Sequence, residues 1–201
     1  MSDEREKKPS AMLGKRIMII GSGGAGKSTL ARRLGSLLGL DVVHLDSHHW
    51  QSGWQAPSRE QWRQKVRMLV AGESWIIDGN YGNSIDIRLE RADTVVFLDL
   101  PKWPCLWGVI CRRLKHRGGR TRLDMAEGCP EQLDWDFLKW IYNFQRDSRP
   151  RLIEAIGSCC PQQQVVMLRT RRQIDVFVQE LAANDARALS LVRADPPAGC
   201  D

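Results

Sequence analysis

Short apolar runs, rich in β-branched residues, recur along the chain, and most of them end in aspartate or glycine. Runs without polar alternation are typical of strands that are buried on both faces of a parallel sheet. The pattern therefore predicts five buried strands. They are RIMIIG at 16–21, DVVHLD at 41–46, SWIIDG at 74–79, TVVFLD at 94–99 and QVVMLR at 164–169.

Segments with apolar residues at helical spacing separate these runs. Two capping boxes, Ser58 with Gln61 and Thr170 with Gln173, mark the start of two of the predicted helices. The helical stripes contain several tryptophans, among them Trp103, and we expect these residues to be core. Strands that alternate with helices over the whole chain predict a doubly wound α/β domain with a parallel sheet.

Length and composition predict one globular domain. The 201 residues are 42% hydrophobic and 27% charged, which is neither a disordered nor a membrane composition. No apolar run is long enough to span a bilayer, and the charged N-terminus lacks the apolar core of a secretory signal, so we expect a cytoplasmic protein. We predict a single domain at 15–184, with a disordered tail at 1–14 and a flexible tail at 185–201. The scattered cysteines are expected to be reduced.

The glycine-rich stretch after the first strand carries the clearest chemical signal. Gly21, Gly26, Lys27 and Ser28 satisfy the pattern GxxxxGK[ST], the phosphate-binding P-loop, between a predicted strand and a predicted helix. Main-chain N–H groups of such a loop hold phosphate oxygens, the lysine reaches the β and γ phosphates, and the serine hydroxyl contacts Mg²⁺. The residues predicted to bind nucleotide here are Gly21, Ser22, Gly23, Gly24, Ala25, Gly26, Lys27, Ser28 and Thr29.

Aspartates that end the other strands are the next candidates. An open parallel sheet binds its ligand beyond the carboxyl ends of its strands, where these side chains meet. Asp78 fits the Walker B acid that orients Mg²⁺. Asp46 is a candidate for the base that accepts a proton from the phosphate acceptor, or for a further contact to the metal. Asp99 is either a third functional acid or a local backbone cap.

Three nearby histidines raise the alternative of a zinc site. His44, His48 and His49 lie within six positions, but adjacent histidines rarely converge on one metal and no cysteine pair accompanies them. We therefore favour Mg²⁺ as the metal.

The positive charge is local. The net charge is +6, and the segment 112–122 alone contains six lysine or arginine residues and no acid. A concentrated basic loop suits a compact anion such as a nucleotide better than a long duplex, although binding to nucleic acid stays an alternative.

Several blocks together resemble the bacterial topology modulation proteins (FlaR-like), which belong to the adenylate kinase-like P-loop kinases. The likeness extends over about 16–175, and its later blocks are more specific than the P-loop. The blocks are GSGGAGKSTLARRLG at 21–35, HLDSHHWQSGW at 44–54, WIIDGNYG at 75–82, RLERADTVVFLDLP at 88–101, CRRLKHRG at 111–118 and GCPEQLDWDFLKWIYNF at 128–144. The resemblance implies a P-loop NTPase fold with a five-stranded parallel sheet of order 2-3-1-4-5, helices on both faces and a basic lid.

By position, the resemblance also implies roles for individual residues. It supports Asp78 as the Walker B acid and places the lid at about 112–129. Lid arginines would neutralise charge on the transferring phosphoryl group, and the residues chosen for this role are Arg113, Arg117 and Arg120. The chain departs from the family pattern at Lys102, where an arginine often follows the proline.

The same comparison implies contacts with acceptor and adenine. Asn80 and Arg88 match positions that meet the acceptor. The loop that contains Arg169 and Arg171 lies where such kinases meet an adenine edge. Two tryptophans that follow the second strand either stack on a ring or pack in the core, namely Trp50 and Trp54.

Two functions follow as hypotheses. The first is an ATP-dependent kinase that uses Mg²⁺ and phosphorylates a small acceptor, such as a nucleoside monophosphate. The second is a nucleotide-dependent regulatory or binding module that affects DNA topology with little or no kinase activity. A GTPase and an ABC-type ATPase are disfavoured, because the sequence contains neither an NKxD nor an LSGGQ motif.

Overall fold

The protein has one five-stranded parallel sheet. A computed structural model describes residues 13–115, 134–158 and 163–193. The strand order is β2-β3-β1-β4-β5, so the predicted α/β class and order are confirmed. The strands are β1 (Arg16–Gly21), β2 (Val42–His44), β3 (Trp75–Asp78), β4 (Thr94–Leu98) and β5 (Gln164–Leu168).

Eight helices lie in the described part of the chain, with one 3₁₀ turn at Gly82–Ser84. Both predicted capping boxes form, since Ser58 and Thr170 each accept a bond from the main-chain N–H of the glutamine three residues later. The helices are α1 (Lys27–Leu38), α2 (Leu45–His49), α3 (Arg59–Leu69), α4 (Ile85–Arg91), α5 (Lys102–Lys115), α6 (Trp135–Asp147), α7 (Arg149–Gly157) and α8 (Arg171–Arg193).

The alternation of β1 side chains creates two cores, one on each face of the sheet. Ile17 and Ile19 pack with α1, α5 and α8, whereas Met18 and Ile20 pack with α3, α4 and α7. All four side chains are fully buried, and each burial of this size contributes about 1.5–3 kcal/mol. The helix α6 contributes to both cores and therefore crosses the carboxyl edge of the sheet.

The outer face of α5 corrects one prediction. Trp103 and Trp107 were expected in the core, but each is 65% exposed. The inner face of α5 carries Cys105, Gly108 and Val109 instead, which pack against the glycine-rich loop. Helical spacing identified the helix but not which of its two apolar faces is buried. No helix among the described residues combines the length and apolarity that crossing a bilayer requires.

Register places the strand ends together at one edge. Asp78, the last residue of β3, pairs with Ile19 of β1 on one side and with His44 of β2 on the other. Gly21 pairs with Leu98, directly before Asp99. The strand ends therefore surround the loop that follows β1.

Candidate active site

The loop between β1 and α1 can be built only from small residues at its turning points. Gly21, Gly24 and Gly26 have φ angles of 145°, 74° and 99°, in the region that favours glycine. A Cβ atom at Gly24 would lie 2.1 Å from the carbonyl oxygen of Cys105. The four glycines and the alanine therefore let the main chain curl against α5 and leave its N–H groups available to a ligand.

Two contacts from distant elements brace this loop. The side-chain oxygen of Asn80, just after β3, accepts a 2.9 Å bond from the N–H of Gly21. Arg171, at the start of α8, donates a 3.1 Å bond to the carbonyl of Gly24. The Asn80 side-chain nitrogen is buried and has no hydrogen-bond partner among the described residues. A donor of this kind beside the loop fits a ligand that carries oxygen atoms.

Lys27 folds back over the loop. Its Nζ donates 2.9 Å bonds to the carbonyls of Gly21 and Ser22. Burial of the ammonium group lowers the pKa of Lys27, while the nearby carboxylates of Asp46 and Asp78 oppose that effect. The predicted P-loop lysine thus lies between the glycine loop and both predicted acids.

Arg112 lies in the predicted lid segment but was not among the arginines selected there. Its positive charge contributes to the lowered pKa of Lys27, so Arg112 lies within electrostatic range of that residue. The arginine selected in this part of α5 was its neighbour Arg113. Helical phase distinguishes the two, because Arg112 follows Cys105 and Gly108 along the inner face of α5. The other two selected arginines, Arg117 and Arg120, lie outside the described residues.

Asp78 lies buried at the end of β3, where the sequence predicts the Walker B acid. The Nδ1 atom of His44 is 2.6 Å from its Oδ1 atom. This contact joins the ends of neighbouring strands and fixes the direction of the carboxylate. His44 was considered only as a zinc ligand in the sequence; the structure gives it this contact with Asp78.

Asp46 follows β2 in the first turn of α2 rather than in a strand. The Tyr81 hydroxyl donates a 2.7 Å bond to its Oδ1 atom. Burial, followed by the nearby Asp46 charge, raises the pKa of Tyr81 far above its ordinary value, so the phenol stays a donor. Tyr81 is a second residue that sequence reasoning missed.

Arg88 lies beneath the turn that follows β3. Its side chain is fully buried and donates to the carbonyls of Gly79 at 2.7 Å, Asn80 at 2.6 Å and Tyr81 at 3.0 Å. Burial lowers the pKa of Arg88. These three contacts show that Arg88 shapes the turn. The predicted contact of Arg88 with an acceptor stays a prediction.

Aromatic rings lie beside Asp46. His49 packs against Trp62 and Tyr81 at ring-centre distances of 4.5 and 4.4 Å. Trp50 and Trp54 contact each other at 5.3 Å. Within the described ranges, no group of three His, Cys, Asp or Glu side chains is arranged to hold a metal ion. The histidine-rich helix α2 therefore contributes to an aromatic cluster.

Asp99 belongs to an ion pair. Arg149 of α7 donates two 2.8 Å bonds to its two carboxylate oxygens, and Arg169 lies 3.9 Å from Oδ2. Burial raises the pKa of Asp99, but the bonds and charge of Arg149, together with Gln145 and Arg169, outweigh it, and the net pKa is lowered. Asp99 therefore fastens α7 to the end of β4, a structural role that differs from the local backbone cap considered from the sequence.

The substitution Asp99→Asn tests this structural role. Because the folded-state pKa is lowered, the pair stabilises the protein fully above the unfolded pKa of about 4, and the contribution disappears as pH falls through the folded pKa. Urea unfolding should show a loss on the order of 1–3 kcal/mol at pH 7 that shrinks below about pH 4. Asp175→Asn, which breaks the exposed pair with Arg33, should cost less than about 1 kcal/mol. A loss for Asp99→Asn that is constant from pH 3 to pH 7 would contradict the assignment.

Comparisons with known proteins support the fold. No protein-family model matches the chain, and no curated protein matches it. A shikimate kinase from Acinetobacter baumannii in complex with shikimate is 17% identical with a TM-score of 0.51, over 91% of this chain and 96% of that chain. A gluconokinase from Sinorhizobium meliloti 1021 is 17% identical with a TM-score of 0.46, over 90% of this chain and 95% of that chain. A likeness at this level of identity shows the fold alone.

The strand order, the glycine loop and this likeness define the fold. The chain has the fold of the P-loop NTPases, with a five-stranded parallel sheet of order β2-β3-β1-β4-β5. Membership of the topology modulation proteins stays a prediction from the sequence blocks.

Proposed function

We propose that this protein is an ATP-dependent kinase that transfers the γ-phosphoryl group of ATP to a small acceptor, such as a nucleoside monophosphate. One observation carries the proposal. Lys27 lies over the glycine loop, close enough to Asp46 and Asp78 for both carboxylates to oppose the lowering of its pKa by burial. A phosphate cradle, a cation and two acids thus share one edge of the sheet. The resemblance of the sequence blocks supports placing the enzyme among the topology modulation proteins.

The loop would bind the phosphates of ATP. Its main-chain N–H groups supply the donors, and Lys27 would exchange its two carbonyl partners for phosphate oxygens. Thr29, exposed in the first turn of α1, is assigned to an α-phosphate oxygen. Arg169 and Arg171 are assigned to the adenine edge, which agrees with the bond from Arg171 to Gly24 beside the loop.

Ser28 and Asp78 would hold Mg²⁺. A hydroxyl and a carboxylate are oxygen ligands of the kind that Mg²⁺ prefers, and the contact with His44 keeps the Asp78 carboxylate oriented. When bound, the ion supplies neutralising charge on the phosphate groups.

The transfer requires one base and several cations. When the acceptor group is a hydroxyl, Asp46 takes its proton while the hydroxyl oxygen forms a bond to the γ phosphorus; when it is a phosphate, an oxygen that is already ionised attacks and no proton is taken. In both cases the bond from the γ phosphorus to the β–γ bridging oxygen breaks, and ADP leaves. Lys27 and the lid arginines Arg113, Arg117 and Arg120 stabilise the negative charge that is in transfer. Asn80 and Arg88 are assigned to the acceptor side.

Measurement of ADP release from Mg·ATP against a panel of acceptors tests the proposal. The panel contains nucleoside monophosphates, nucleosides and small alcohols, each compared with ATP alone. Acceptor-dependent release, accompanied by a phosphorylated product in mass spectrometry, is the expected result. If ADP release is absent or independent of every acceptor, while the protein binds DNA with an affinity that falls steeply with salt, the regulatory-module hypothesis replaces the kinase.

A further inference from the structure

We infer that Tyr81 is a positioning residue that orients Asp46 for proton transfer, a role that rests on the proposed kinase function. The hydroxyl of Tyr81 lies 2.7 Å from Oδ1 of Asp46. A carboxylate with one oxygen fixed by a donor keeps its other oxygen available in a defined direction. For a base, that direction determines whether the acceptor proton is within reach.

The main chain of Tyr81 is held in an unusual conformation. Its φ angle is 21° and its ψ angle 74°, and the only other described non-glycine residue with positive φ is Trp54. A non-glycine residue in such a region costs on the order of 1–3 kcal/mol and persists only where its surroundings determine it. The strain at Tyr81 therefore needs a compensating set of contacts.

Buried groups supply that compensation through the carbonyl of Tyr81. Arg88 donates to it at 3.0 Å, and Ser84 donates through its main-chain N–H at 3.0 Å and its hydroxyl at 3.2 Å. Ser84 is itself fixed, because its hydroxyl accepts a 3.1 Å bond from the indole N–H of Trp62. Arg88, Ser84 and Trp62 are all essentially inaccessible to solvent. Several buried hydrogen bonds thus hold the turn after β3 in this conformation.

Ring packing then directs the phenol toward Asp46. The Tyr81 ring packs against both His49 and Trp62, with centre distances of 4.4 and 4.9 Å. His49 belongs to the same short helix α2 as Asp46, so the ring contact with His49 and the hydroxyl contact with Asp46 both join Tyr81 to the element that carries the proposed base. A strained main chain, a buried support and a directed hydroxyl together do more than fill space, because an apolar ring would satisfy packing alone.

The matched pair Tyr81→Phe and Tyr142→Phe tests the inference. These are the two tyrosines of the chain, and Tyr142 lies half-exposed on α6, away from the loop. With the best acceptor, Tyr81→Phe should lower kcat about 10- to 100-fold, since a bond to a charged group is lost, while KM for Mg·ATP changes less than twofold. Tyr142→Phe should behave as wild type. An unchanged kcat in a folded Tyr81→Phe protein would overturn the positioning role.

Urea unfolding separates failure of this inference from failure of the kinase proposal. The proteins compared are wild type, Tyr81→Phe, Asp46→Ala and the double variant. Because the two side chains share one bond, the double variant should lose less in its unfolding midpoint than the sum of the two single losses. Strictly additive losses would show that the pair is not coupled and would overturn the inference, whether or not the wild type phosphorylates an acceptor. Coupled losses together with a wild type that lacks turnover would reject the catalytic role and the kinase proposal, and leave only a structural pair.

Discussion

Replacing Lys27 with alanine should reduce ATP-dependent turnover by about 100- to 1,000-fold while the protein stays folded. The ammonium group bonds directly to two carbonyls of the glycine loop, and the loss of one preorganised donor to a developing negative charge typically costs about 10²–10³ in rate. The measurement is kcat with the best acceptor, alongside circular dichroism and a melting curve.

Two further variants make the Lys27 result interpretable. Lys27→Met keeps most of the buried stem and removes only the charge, so it should lose as much turnover as the alanine variant. Lys139→Ala removes an exposed lysine from α6 and should leave turnover unchanged. Wild-type rates in a folded Lys27→Ala protein would contradict the assignment of the loop. If Lys27→Ala lowers turnover but Lys27→Met keeps the wild-type turnover, the side chain acts through packing and not through its charge.

With a hydroxyl acceptor, the substitution Asp46→Asn should lower kcat by about 10²–10⁴-fold, the usual contribution of a general base. The amide keeps the size of the side chain and can still accept the bond from Tyr81, so the local structure is expected to survive. Affinity for Mg·ATP should change little, because the loop and Lys27 provide the phosphate contacts. Single-turnover phosphoryl transfer, compared with nucleotide binding by fluorescence, checks both parts of this prediction.

A nearby aspartate provides the control for Asp46. Asp41 is exposed and precedes β2 at the opposite edge of the sheet, so Asp41→Asn should leave kcat unchanged. If Asp46→Asn transfers phosphoryl groups at the wild-type rate, Asp46 is not the base. If instead the variant loses nucleotide affinity to the same degree as turnover, Asp46 acts on the nucleotide or its metal.

The sequence predicted most of the fold because its signals are local. Five uninterrupted apolar runs gave all five strands to within a few residues, and the glycine at 39 ends α1 in the left-handed conformation, as expected of a C-cap. The helices α2, α4 and α7 were not predicted, and the first two residues of α2 were assigned to the predicted strand at 41–46. α4 spans only seven residues and buries an arginine, and α7 begins directly after α6 with no cap bond from the intervening Ser148.

The sequence predicted those residues of the candidate site whose position follows from a local motif. It missed those whose position depends on tertiary contacts alone. The P-loop pattern located Lys27, and the end of a strand located Asp78. Nothing local indicates that Tyr81 adopts a positive φ angle, since that conformation depends on carbonyl contacts with Arg88 and Ser84. Likewise, the contact between His44 and Asp78 requires strands that are separated by more than thirty residues.

The turn after β3 connects the two halves of the proposed mechanism. Asn80 holds the first residue of the glycine loop, and its neighbour Tyr81 holds Asp46. The nucleotide side and the acceptor side are therefore positioned by adjacent residues of one buried turn. Arg88, beneath both, accounts for the rigidity of that turn through its three carbonyl contacts.

Isothermal titration calorimetry with Mg·ATP tests the central claim most directly, namely that a triphosphate binds to the main-chain amides of residues 21–28. The wild type should show saturable binding with one site per chain and a higher melting temperature in the presence of nucleotide. Lys27→Ala should bind much more weakly under the same conditions. A flat titration of the folded wild type at saturating Mg·ATP, with no change in melting temperature, would contradict the account.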